Sequence, residues 1–194
     1  MTSKLIVNSL RHTGASADAI TMDASGNVTF PGNATCSGTA TGFGGGIQMV
    51  DQWSITSDNN KTNGQTIDTN WERADYFFAQ IGTGMTESSG IFTFPQTGIY
   101  LLMSQHTMNT SATSCGVKIQ MSSDSGSNYS TVSYGEIKNT NNGYHHMTLH
   151  GVVDVQNAST YRIKLIAYNT ANVQYSGDSD ALRNGITFIR LGDT

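Results

Sequence analysis

The chain has 194 residues, charged side chains make up only 12% of it, and the net charge at pH 7 is −4. That length suits one compact domain with an appendage, or two small domains, and the lack of a basic stripe argues against binding to nucleic acid. The opening MTSKLIVNSLRHTG has no long apolar run, so neither a secretory signal nor membrane insertion is expected from it.

Sustained apolar spacing of the helical kind is missing. Short alternating runs bounded by Gly, Asn, Asp and Ser recur instead, so the chain reads as all β. KLIVNSL (4–10) is a first strand, and AITMD (19–23) and NVTF (27–30) are joined by the turn Ala24-Ser25-Gly26. TATGFGGGI follows, and its glycines at 42–46 mark a joint. The domain boundary is placed there, giving an extended β arm or stalk over 1–46 and a head over 47–194. The arm holds Lys4, Arg11, Asp18 and Asp23 and is neutral, so the net negative charge belongs to the head.

In the head, IQMVDQWSI (47–55) is a strand and SDNNKTNGQT (57–66) a polar loop. NWERADYFFAQIG (70–82) admits a helical turn or a strand. GIFTFPQTGIYLLMSQHTM (90–108) is two strands around the turn Pro95-Gln96-Thr97-Gly98. Further strands are CGVKIQM (115–121), YHHMTLHGVVDV (144–155), TYRIKLIAYN (160–169), ANVQYS (171–176) and GITFIRL (185–191).

Period two sorts their faces: Met147, Leu149, Gly151 and Val153 oppose His146, Thr148, His150 and Asp154. One apolar and one mixed face per strand, repeated this often, predicts a jelly-roll β-sandwich. Strand 98–108 is apolar on both faces, with Tyr100 and Leu102 on one and Ile99, Leu101 and Met103 on the other. Such a strand is covered on both sides, which points to another subunit. The expected self-contact face carries Tyr100, Leu102 and Tyr168.

Sites of chemistry are sparse. Cys36 and Cys115 are expected as free thiols. His146 and His150 would lie about 13 Å apart along one strand, too far to share a metal. His106 and His145 read as polar or interface residues. Asp178 and Asp180 occupy a loop with calcium-binding potential but without the EF-hand spacing. Asp68, Glu72 and Asp75 form the one dense carboxylate cluster, and a Gly-x-Ser-x-Gly nucleophile motif is absent. No metal, no cofactor and no catalysis are expected. The Asn-x-Ser/Thr triplets read as chance in an Asn-, Thr- and Ser-rich chain. Loops 122–130 and 138–144, with Tyr129, Tyr134 and Tyr144, are the candidate ligand-binding elements, by their Ser, Asn and Tyr content.

Two resemblances add to this reading. Phe92-Thr93-Phe94-Pro95-Gln96-Thr97-Gly98-Ile99-Tyr100 and the closing Ile186–Leu191 resemble the jelly-roll head shared by tumour necrosis factor (TNF) and the complement globular-head proteins, with the Pro one position late. The resemblance covers roughly residues 47–194 and implies a TNF-like fold and a homotrimer around a three-fold axis. Lys4–Gly14 and Asp23–Gly32 are similar to N-terminal segments of bacteriophage tail-fibre and other virion proteins, especially those of cyanobacterial and marine phages. This second resemblance implies a phage virion surface protein. Its arm would anchor to the major capsid protein or a tail protein through Leu5, Ile6, Val7, Leu10, Ile20, Val28 and Phe30. The short chain favours a capsid decoration (cement) protein or a short fibre. The alternative is a receptor-binding fibre tip that recognises a host surface glycan.

Overall fold

The computed structural model describes residues 7–32, 46–76, 78–138 and 141–194. Leu5, Ile6, Cys36 and all of the glycine-rich joint except Gly46 lie outside the described residues. The chain divides into two compact units, Met1–Gly45 and Gly46–Thr194.

The first unit is a small antiparallel meander of β1 (Ser9–Leu10), β2 (Ile20–Met22) and β3 (Val28–Thr29). The turn between β2 and β3 is held by Asp23. Its carboxylate accepts the backbone N–H groups of Ser25 and Asn27, both at 2.9 Å, and the Asn27 side-chain amide at 2.7 Å. These bonds, that of the Asn27 side chain foremost, hold the Asp23 carboxyl below its ordinary range. None of the described residues in this unit is buried. Leu10 and Val28 stay 45% and 52% exposed, as expected where three short strands have too little apolar surface to enclose a core.

The second unit contains β4 (Met49–Ile55), β5 (Asn59–Lys61), β6 (Trp71–Arg73), β7 (Thr86–Ser88), β8 (Ile91–Thr93) and β9 (Gly98–Thr110). It continues with β10 (Ser114–Ser122), β11 (Ser130–Lys138), β12 (Gly143–Val155), β13 (Arg162–Ala167), β14 (Val173–Tyr175) and β15 (Gly185–Gly192). One sheet has seven strands in the order β5-β14-β9-β15-β4-β6, with β12 along the other edge of β9. β14 and β15 share one edge of β9 end to end, β14 at Met108 and Asn109 and β15 from Ile99 to Gln105. The second sheet has five strands in the order β11-β10-β13-β8-β7. The result is an all-β jelly-roll sandwich. Stretch 70–82 opens as strand β6, and no helix occurs among the described residues.

The two inner faces form one apolar cluster. The seven-stranded sheet supplies Met49, Ile55, Tyr100, Leu102, Met108, Ile186 and Phe188, and the five-stranded sheet supplies Phe92, Val117, Ile119, Ile163 and Leu165. Each such side chain contributes about 1.5–3 kcal/mol by leaving water. Phe92 is central: its ring lies 5.1 Å from Trp71, 5.7 Å from Trp53 and 5.3 Å from Phe188. Among the described residues the one buried carboxylate, Asp51, has hydrogen bonds to both of its oxygens. Asp51 accepts from Trp53 Nε1 at 2.9 Å, Arg73 Nε at 2.8 Å and the Met85 N–H at 2.7 Å, which ties β4 to β6.

Glycine shapes the sandwich at two positions in particular. Gly98 has φ +145°, and a Cβ there would fall 2.5 Å from Arg190 Nε and from the Gly192 carbonyl. Two residues on, the Tyr100 hydroxyl donates to the Gln96 carbonyl at 2.8 Å and closes the same turn. At Gly135 of β11 a Cβ would meet Met147 Cε of β12 at 2.3 Å, so the Met147 side chain packs into the space that the glycine leaves between the two sheets.

Candidate functional site

The outer face of the seven-stranded sheet carries an apolar row whose chemistry asks for a partner. Strand pairing puts Ile189 opposite Val50 on one side and opposite Leu101 on the other, and Leu101 in turn opposite Val152. Since cross-strand partners share a face, Val50, Ile189, Leu101 and Val152 form one apolar row across β4, β15, β9 and β12. Val152 is 62% exposed, while the other three are half-buried by their neighbours. The next row reads Gln52, Thr187, Met103 and His150. Gln52 Nε2 donates to Thr187 Oγ1 at 2.8 Å, and Met103 is 48% exposed beside them. A depression of about 560 Å³ lies over this row and also reaches Leu101, Gln105 and Thr148.

Farther along the sheet the face turns polar. His146 Nδ1 bonds Thr107 Oγ1 at 3.0 Å, and the Arg183 guanidinium lies 5.6 Å from the ring centre of Tyr144. Beneath it His106 is enclosed, with Nδ1 on Asn184 Oδ1 and Nε2 on Ser104 Oγ, both at 3.1 Å. Burial lowers its pKa to about 4, so the ring is neutral and the Asn184 bond offsets that only in part. The Asn184 amide donates to the carbonyls of Thr107 and Ser176 at 2.6 and 2.8 Å, locking β9 to the segment before β15.

This corrects the expected self-contact residues. Tyr100 and Leu102 have no exposed surface within a single chain, because both point into the sandwich core. Tyr168 lies on the outside of the other sheet, where Lys118 Nζ sits 3.9 Å over its ring. The three do not share a face. The doubly apolar strand was visible in the sequence, but period two cannot say which of its two sets faces the facing sheet. The outward set is Ile99, Leu101 and Met103, of which Met103 is exposed and the other two are half-buried. Val50, Ile189 and Val152 were missed because only strand register places them in line with Leu101.

The candidate ligand-binding tyrosines are likewise separated. Tyr144 belongs to the outer face of the seven-stranded sheet and Tyr134 to that of the five-stranded sheet, where it is 63% exposed. Tyr129 is half-buried: Lys164 Nζ covers its ring at 3.8 Å, and its hydroxyl is enclosed without a partner. Of loop 122–130, the part around Asp124 is a closed turn. The Asp124 carboxylate accepts Ser122 Oγ at 2.6 Å, the Asn128 N–H at 2.9 Å and the Asn128 amide at 2.7 Å. Those bonds, Ser122 foremost, lower its carboxyl to about 2. This repeats the Asp–Asn clamp of the first unit.

The remaining candidates disperse. Glu72 and Asp75 border a cavity of about 210 Å³ together with Arg73 and Asp180, while Asp68 pairs with Lys61 at 2.5 Å. Asp178 Oδ1 accepts the Asp180 N–H within its own loop. Among the described residues no group of three or more His, Cys, Asp or Glu side chains is placed to hold a metal. No helix among them is long and apolar enough to cross a membrane. Cys115 is buried and free, and burial followed by the charge of Glu136 pushes its thiol pKa up.

No protein-family model and no curated protein matches the chain. Among solved structures it is similar to the TNF protein Eiger from S. frugiperda, with a TM-score of 0.59, 13% identity, and 76% of this chain and 95% of that one covered. It is also similar to murine APRIL at pH 5.0, with a TM-score of 0.56, 16% identity, and coverage of 74% and 98%. At such identities the likeness is one of fold, and it places the chain among the TNF-like jelly rolls.

Proposed function

We propose that this chain is a non-enzymatic structural protein of a tailed-phage particle, a homotrimer whose arm (1–46) anchors it to the virion and whose head is displayed outward. It acts as a capsid decoration protein or a short fibre, bridging or capping other virion proteins such as the major capsid protein or a tail protein. It takes no cofactor and binds neither nucleic acid nor membrane.

The observation that carries self-assembly is the row Val50–Ile189–Leu101–Val152 on the outer face, four strands wide, with Val152 exposed and the other three half-buried in one chain. Apolar surface in a continuous band favours a partner, and three copies is the number that the TNF resemblance implies. The virion role rests on the N-terminal phrases, with Leu10, Val28 and Phe30 exposed on a meander too small to bury them. Val7 and Ile20 belong to the same unit and are half-buried.

Sedimentation equilibrium tests the assembly: a mass three times the 20.8 kDa of one chain is expected, and a monomer at micromolar concentration overturns it. Quantitative mass spectrometry of purified particles tests the location. A copy number in simple ratio to the major capsid protein is expected for decoration, and a few tens or fewer for a fibre. The rival fibre tip recognising a host glycan draws its support from the exposed Tyr134. Absence from particles overturns every virion reading. Deleting residues 1–46 should leave a folded head that no longer binds the particle.

A further inference from the structure

The outer face of the five-stranded sheet is unlike the rest of the molecule. Pairing aligns Tyr134 with Lys118 and Ile166 in one row, and Thr131 with Gln120, Lys164 and Ile91 in the next. Glu136 and Lys138 extend the first edge and Arg162 the far end. In a chain of net charge −4 this one sheet face collects Lys118, Lys138, Arg162 and Lys164 against Glu136, with Asp124 only at its margin. None of the ion pairs among the described residues uses any of these four cations.

Aromatic rings organise the two central ammonium groups. Lys118 Nζ lies 3.9 Å over Tyr168 and Lys164 Nζ lies 3.8 Å over Tyr129. The Tyr134 ring meets Tyr168 edge-on at 6.2 Å and 89°, which steadies it while leaving most of its surface in water. Lys118 and Lys164 are one row and one strand apart, about 8 Å at the backbone. Arg162 is already engaged, donating to the carbonyls of Tyr161 and Ser159 at 2.7 and 2.8 Å, so it contributes field rather than a contact. An exposed ring beside two ring-mounted ammonium groups, on a flat sheet, fits a polymer that is both sugar-like and negatively charged. The ring offers stacking to the apolar face of a pyranose, and the ammonium groups meet carboxylates on neighbouring units.

We propose that this face binds an acidic polysaccharide of the polyuronate class, with Tyr134 stacking on a sugar ring and Lys118 and Lys164 pairing its carboxylates. The site is on the opposite side of the sandwich from the assembly row, and it serves a decoration protein and a fibre tip equally.

The test is calorimetric titration of the full chain with a galacturonate octamer, a neutral maltooctaose and a poly-glutamate of matched charge. Binding to the galacturonate octamer that weakens with salt is expected, with none to maltooctaose and at least tenfold weaker binding to poly-glutamate. Tyr134→Ala and the pair Lys118→Gln with Lys164→Gln should each weaken it about tenfold, and Tyr134→Phe should not. Circular dichroism and sedimentation, unchanged in all variants, establish that folding and assembly are intact. Failure to bind the galacturonate octamer, equal binding of poly-glutamate, or indifference to Tyr134→Ala overturns the proposal. Each of those outcomes leaves the assembly reading untouched, since that is decided by mass alone.

Discussion

The two outer faces of the head are built on the same strand geometry and carry contrasting chemistry. Across the seven-stranded sheet one row is Val, Ile, Leu and Val, and the charged groups stand at its ends. Across the five-stranded sheet the central rows mix tyrosine and lysine. Both faces look out from the same core, so core packing does not explain the difference. An apolar row is held off from water only by another apolar surface, whereas ring-mounted lysines stay soluble and wait for an anion. The first face reads as permanent contact, the second as reversible contact.

Placing a carboxylate in the first face breaks the comparison most severely. Leu101→Asp should leave a folded monomer by sedimentation where the parent chain gives the mass of the proposed trimer, because an unpaired charge in an apolar contact costs several kcal/mol. Lys118→Gln on the other face should leave the mass unchanged. Removing the shared support comes next: Phe92→Ala should cost about 3–5 kcal/mol in urea denaturation and harm both faces together.

Acid separates them more gently. His106, under the seven-stranded sheet, stays neutral in the fold down to about pH 4, while an unfolded histidine takes up a proton near pH 6.5. Its contribution is therefore constant above pH 6.5. Between that value and pH 4 the unfolded chain gains a proton that the folded chain refuses, and stability falls by on the order of 3 kcal/mol in total. His106→Gln, compared with the parent by denaturation from pH 7 to 4.5, should lack this part of the acid slope. The smallest effect belongs to the second face: Tyr134→Ala should leave stability within about 0.5 kcal/mol, since the ring is surface-mounted.

Much of this architecture was legible in the residues. Alternation gave β4, β8, β9, β10 and β12 to β15, and the phrase around Pro95 and Gly98 located the turn that Tyr100 and Arg190 lock, whereas the three-residue strands β5, inside the stretch read as a polar loop, and β7 are too short and polar to show a period. Strand β11 was not legible. STVSYGEIK turns Val132, Ser133, Gly135 and Ile137 toward the facing strands, because the register shifts opposite Ile119 and Gln120, and that bulge with the small residues at 133 and 135 breaks the apolar alternation that would announce a strand. The assembly face was half legible. Its strand was recognised as apolar on both sides, yet the choice between Tyr100 with Leu102 and Ile99 with Leu101 and Met103 depends on which side the facing sheet occupies. That is a tertiary fact without a local signal. The lysine–tyrosine face was hidden for the same reason, since Tyr129 with Lys164, and Lys118 with Tyr168, meet only once β10, β11 and β13 are in register.

The first and last strands of the head, β4 and β15, lie antiparallel and hydrogen-bonded from Met49–Arg190 to Ser54–Gly185, and β6 grips the far end of β4 at Trp53–Ile55. Hydrogen bonds perpendicular to the strand resist sliding along it. Tension applied to Gly46 in the direction of β4 is therefore shared among all those pairs at once, as in a lap joint, rather than peeling them in turn. A head tethered through this strand is mechanically suited to a load that pulls on its N-terminal side.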